Sequence, residues 1–108
     1  MMQIEDTVVG DGPEAKEGDQ LELHYTGMFT DGEKFDSSLD RNQTFMVTLG
    51  VTSLIQGFTM GLYGIKKGGK RTLHIPSEMG YGERGAGHVI PPHTDLVFEI
   101  ECVDLIPC

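Results

Sequence analysis

The chain has 108 residues, room for one domain spanning 1–108 and no second. Hydrophobic residues make up 38%, enough for a packed core, and 15 glycines, about twice the usual share, point to tight turns and a β-rich fold. Seventeen acidic residues against eight basic ones give a net charge of −9, which makes DNA, RNA and anionic lipid poor partners.

In chain order, residues 2–9 form a first candidate strand, and Asp11-Gly12-Pro13 signals a turn. The N-terminus is acidic and lacks the basic-then-apolar layout of a signal peptide, so a cytoplasmic protein is expected. Residues 20–28 alternate, with Leu21, Leu23 and Tyr25 on one face and Glu22, His24 and Thr26 on the other. That period of two predicts a half-buried strand, and Asp31-Gly32 predicts a turn after it. Residues 44–49 repeat the alternation, with Phe45, Val47 and Leu49 inward.

Leu54, Ile55, Phe58 and Leu62 recur at helical spacing. Thr52 or Ser53 is the expected cap, because either hydroxyl can accept from a free first-turn N–H. Gly57 and Gly61 weaken this helix by about 1 kcal/mol each relative to alanine, so packing must hold it. The basic cluster Lys66, Lys67, Lys70 and Arg71 reads as a solvated turn rather than an anion contact.

Residues 72–75 alternate through Leu73 and Ile75 until Pro76 stops them. Residues 80–87 form a glycine-rich loop closed by Pro91-Pro92. Residues 94–106 give the longest alternation, with Leu96, Phe98, Ile100 and Cys102 facing one way. Cys102 belongs to the core and Cys108 to a frayed end; two cysteines make neither a disulfide framework nor a zinc site. The sum is an α+β domain, one antiparallel sheet wrapped against one short helix.

Several chemical motifs fail. Gly80 to Gly85 matches G-x-G-x-x-G in letters only, since no helix opens after it to offer N–H groups to a pyrophosphate. The four histidines form no metal pair on a helix, and no G-x-S-x-G elbow exists. Neither cysteine sits in a setting that would lower its pKa, so covalent catalysis has no candidate.

What remains is a set of apolar residues next to turns. Tyr25, Phe35, Phe45, Ile55, Phe58, Tyr81, Ile90 and Phe98 could all be interior. Their surrounding motifs carry more. HYTGMFTDGEKFDSS followed by Asp40-Arg41-Asn42 and Phe45, then LIQGF, then GYGERGAGHVIPPHTDLVFEIE together resemble the FKBP family of peptidyl-prolyl cis-trans isomerases, in its minimal single-domain form. The resemblance implies a half-open antiparallel sheet, or half-barrel, curled around one short helix.

It also implies a proline pocket between helix and sheet. Phe58 matches its floor, Tyr25, Phe45 and Phe98 its walls, and Phe35 with Asp36 the edge that faces a carbonyl. Ile55 matches the residue whose N–H contacts ligand, Tyr81 a hydroxyl donor, and Ile90 the flap residue before the double proline. Arg41 matches the partner that holds Asp36 and Tyr25, and Leu54 and Val89 complete the ligand-contact set. Expected partners are proline-containing peptides and client proteins, with macrolides of the tacrolimus and rapamycin type as inhibitors. No metal and no cofactor is implied, and a monomer is the default.

Where the family most often carries tryptophan at the floor, Phe58 stands, so activity is expected to persist with macrolide affinity reduced. Ala86 replaces a histidine of some members, and Ser53 and Leu54 also differ from the common pattern. The competing readings are a weak binding module built on the same pocket and a purely structural domain. An isomerase is the expectation.

Overall fold

The computed structural model describes residues 2–108 and leaves Met1 aside. Strands β1 (Gln3–Val8), β2 (Gln20–Phe29), β3 (Lys34–Ser37) and β4 (Phe45–Thr48) precede helix α1 (Gln56–Leu62); β5 (Lys70–Ile75) and β6 (Leu96–Ile106) follow it. The six strands form one antiparallel sheet in the order β1-β5-β6-β2-β3, curled around the helix. The free edge of β2 is shared, with β4 along its first half and β3 along its second.

The alternating segments became strands because one face of each is covered. Leu21, Leu23, Val47, Leu49, Leu73, Leu96, Ile100 and Cys102 are all buried in one core with Leu62 of the helix. In β6 the alternation holds only to Cys102. Leu23 faces Cys102 but Glu22 faces Asp104, so Val103 is an extra residue. This bulge shifts the phase, and Leu105 rather than Asp104 then packs on the core opposite Leu21. β1 is exposed throughout, an edge strand held by its ladder to β5 and by the Arg71–Asp6 ion pair.

Four expectations need correction. The helix starts later than its apolar stripe, because Ile55 is extended (φ −60°, ψ 147°) and neither it nor Leu54 lies in the helix. Among the described residues no side chain caps it; Thr52 Oγ1 instead accepts the Thr48 N–H at 2.9 Å, tightening the turn before the helix. Arg71 is no solvated turn residue: its side chain is only 11% exposed, and its guanidinium donates to the carbonyls of Gly61 and Tyr63 at the helix end. Those carbonyls lack helical partners, and a cation there also suits the helix dipole. The last residue is not frayed either, since the Cys108 N–H donates to the buried Asp19 carboxylate at 2.9 Å. That bond and the Lys16 N–H hold the Asp19 carboxyl below its ordinary pKa.

The two helical glycines have a packing cause. A Cβ at Gly57 would lie 2.5 Å from Ile75 Cγ2, and one at Gly61 would overlap both Leu73 methyl groups. The helix therefore lies with bare backbone on β5. What it loses in propensity it recovers in close contact.

Candidate active site

Beside this seam the helix and sheet separate. A cavity of about 480 Å3 opens there, lined by Tyr25, Phe35, Asp36, Phe45, Ser53, Leu54, Ile55, Phe58, Tyr81 and Phe98. β2 supplies Tyr25, β6 Phe98, β4 Phe45 and the helix Phe58, each on the inward face of its element. Phe58 and Phe98, both 4% exposed, meet edge to face at 5.2 Å. The Tyr25 ring stands 5.7 Å from Phe45, 5.9 Å from Phe58 and 6.3 Å from Phe98. Edge-to-face rings satisfy each other's quadrupoles and leave apolar faces toward the cavity.

β3 brings two neighbours to the same cavity. In a regular strand Phe35 and Asp36 would face opposite sides. Here Gly27 pairs with Asp36 and Met28 with Lys34, so Phe35 is the extra residue of a bulge and both side chains line the opening.

Asp36 is held by two donors. Arg41 Nη1 reaches Asp36 Oδ1 at 2.6 Å, the Tyr25 hydroxyl donates to Oδ2 at 2.8 Å, and Arg41 Nη2 donates to the Tyr25 hydroxyl at 2.9 Å. Burial works to raise the Asp36 carboxyl, but the bonds from Tyr25 and Arg41 outweigh it and hold its pKa below the ordinary value. Burial and the bond to Asp36 push Tyr25 above its own. The triad at neutral pH is thus a carboxylate, a phenol and a guanidinium, with no proton poised to leave. Ser37 and Ser38 fix the peptide of Tyr25: Ser38 Oγ accepts its N–H at 2.8 Å and Ser37 Oγ donates to its carbonyl at 3.1 Å.

Nine of the residues named from the sequence line the cavity together. Arg41 stands behind it, bonded to Asp36 and Tyr25 and 5.8 Å from the Tyr25 ring centre. Ile90 is buried in the core, where it bridges to Ala86 across the flap, and Val89 is 56% exposed; neither is among the lining residues. The Ile55 N–H, at the helix start, has no acceptor among the described residues. Sequence reasoning left out Gly27 and Phe29. Both share the inward face of β2 with Tyr25, and a glycine within an alternating strand was the available signal.

The model of the FKBP-type peptidyl-prolyl cis-trans isomerase family matches residues 12–103. The chain belongs to the FKBP family. An FK506-binding protein of Neisseria meningitidis serogroup A is 58% identical over 98 residues, covering 91% of this chain and 90% of that protein. The human peptidyl-prolyl cis-trans isomerase FKBP2 is 50% identical over 91 residues, 84% of this chain and 64% of that one. The crystal structure of AtFKBP13 superposes with a TM-score of 0.88 at 39% identity, over 95% of this chain and 91% of its own. The FKBP found here is therefore an X–Pro isomerase, with the curled sheet and single short helix of its structural relative.

Proposed function

We propose that the aromatic cavity takes the prolyl ring of an X–Pro peptide and speeds rotation of its amide without a covalent step. The observation that carries this is an apolar, ring-walled cavity with a fixed carboxylate at one edge. The uncatalysed amide rotates over a barrier of about 18–20 kcal/mol because twisting removes resonance. The planar amide is the more polar state, so a dry aromatic cavity disfavours it relative to the twisted one. Walls shaped to the twisted conformer add differential binding. Each tenfold in rate needs about 1.4 kcal/mol, so several modest effects suffice.

The residues divide the work. Phe58, Phe45, Phe98 and the Tyr25 ring grip and desolvate the proline. The Tyr81 hydroxyl and the Ile55 N–H hold the carbonyls on either side. Asp36, kept ionised, acts through its fixed charge and by orienting Tyr25, not by donating a proton. Clients are proteins whose folding waits on X–Pro bonds, which relax unaided in tens to hundreds of seconds. Tacrolimus-type macrolides occupy the same cavity, a reading supported by the 58% identity to a protein named for binding FK506.

The test is cis-to-trans relaxation of a short Leu-Pro-Phe peptide by a protease-free method, with tacrolimus as control. Acceleration abolished by the drug is the expected result. A folded protein that binds the drug yet gives no acceleration would make the cavity a binding site only.

A further inference from the structure

The Phe35 ring lies where a side chain on Gly27 would be. A Cβ built there comes within 2.7 Å of Phe35 Cζ, 2.9 Å of Phe35 Cε1 and 2.9 Å of Phe98 Cε1. The two rings meet edge to face over this bare stretch of β2, 5.8 Å apart at 89°. Two residues along the same face, Phe29 packs its ring at 5.1 Å against Phe35. The Phe29 backbone closes the β2–β3 hairpin, with its N–H on the Glu33 carbonyl at 2.9 Å and its own carbonyl accepting the Gly32 N–H at 2.9 Å. Phe98 is 4% exposed and pinned by Phe58, whereas Phe35 is half-buried at the cavity edge.

We infer that Gly27 and Phe29 are positioning residues for the isomerase: Gly27 supplies the recess that keeps the Phe35 ring out of the cavity, and Phe29 closes that recess from the side. This rests on the cavity being the prolyl site. The Gly27 backbone has no positive φ, so alanine fits its conformation. The added methyl must then displace a ring. Phe98 is 4% exposed and held edge to face by Phe58, and Phe29 packs against Phe35, so the half-buried Phe35 ring is the one that yields, toward the cavity it lines. A ring there obstructs ground state and transition state alike, which raises KM and spares kcat. Simple loss of folded protein does the opposite, since it lowers apparent kcat and leaves KM unchanged.

The experiment is steady-state isomerisation of the Leu-Pro-Phe peptide by Gly27→Ala, Phe35→Leu and the double variant, with thermal unfolding of each. Gly27→Ala is expected to raise KM roughly fivefold to tenfold with kcat within about twofold. In the Phe35→Leu background, where a smaller and more flexible side chain yields, the same change is expected to shift KM less than about twofold. If Gly27→Ala does not fold, Phe29→Leu replaces it, with a KM increase that depends on Phe35 in the same way. An unchanged KM, or equal increases in both backgrounds, overturns the inference. Phe35→Leu alone separates the two layers. If it shifts KM or tacrolimus binding while Gly27→Ala and Phe29→Leu shift nothing, only this inference fails. If the wild-type protein itself gives no tacrolimus-sensitive acceleration, the prolyl reading of the cavity fails with it.

Discussion

Helix α1 meets the sheet in two ways within two turns. On one side Gly57 and Gly61 lay bare backbone on Ile75 and Leu73, and both of those side chains are at most 1% exposed. On the other side Phe58 faces Tyr25 and Phe98, and the interface opens into a cavity of about 480 Å3. Same helix, same sheet, but small groups close one seam and large rigid rings prop the other apart. Flat rings meeting at their edges cannot fill the space between two curved layers as branched aliphatic groups do. The closed seam holds the helix so that the open one keeps its shape.

The comparison breaks first at the closed seam. Gly57→Ala gains about 1 kcal/mol of helix propensity but overpacks, at a cost of roughly 1–3 kcal/mol. Ile75 is β-branched and stiff at χ1, so its Cγ2, 2.5 Å from the new Cβ, has nowhere to rotate. Leu73, with a longer and freer side chain, yields more to Gly61→Ala. Urea unfolding is expected to rank the variants wild type, Gly61→Ala, Gly57→Ala in falling stability. A more stable Gly57→Ala would mean that propensity, not packing, governs the seam.

The open seam should answer in turnover instead. Asp36→Val removes the acceptor for Tyr25 and Arg41. The Asp36 and Arg41 side chains are 42% and 48% exposed, so solvent screens the pair and it adds little to stability. Peptide kcat/KM is expected to fall about tenfold, equivalent to ~1.4 kcal/mol of transition-state stabilisation. Kinetics equal to wild type in a folded Asp36→Val protein would remove Asp36 from the site.

The two seams also differ in how much of them sequence alone discloses. Strands β2 and β6 were legible because β2 along its length, and β6 as far as Cys102, alternate against a single buried face. β3 was not, since it has four residues and its bulge at Phe35 erases the alternation. The helix was legible in kind but not in its start. Leu54 and Ile55 extend the apolar stripe by coincidence: both precede the helix and line the cavity. The closing of Asp36, Arg41 and Tyr25 into one hydrogen-bonded set has no periodic signature; only the family motifs signalled it. Arg71 looked like one charge in a basic run because the carbonyls it caps belong to another element.

The smallest effect separates the two seams by pH. Hydrogen bonds from Tyr25 and Arg41 overcome burial and hold the folded Asp36 carboxyl below its ordinary value of 3.8. Above that value both folded and unfolded chains are ionised, and the stabilisation is fully present. As pH falls the unfolded chain takes up its proton first, so the stabilisation drains away until pH passes the folded pKa. Asp19 is also held low and adds its own acid loss, so only a difference between proteins isolates Asp36. The stability gap between wild type and Asp36→Asn, from urea midpoints at falling pH, is expected to shrink as pH drops below the ordinary carboxyl value. The gap between wild type and Gly57→Ala should stay constant, because methyl groups at the closed seam carry no proton. A wild type to Asp36→Asn gap equally flat with pH would show that the carboxylate stabilises the folded chain by shape and not by charge.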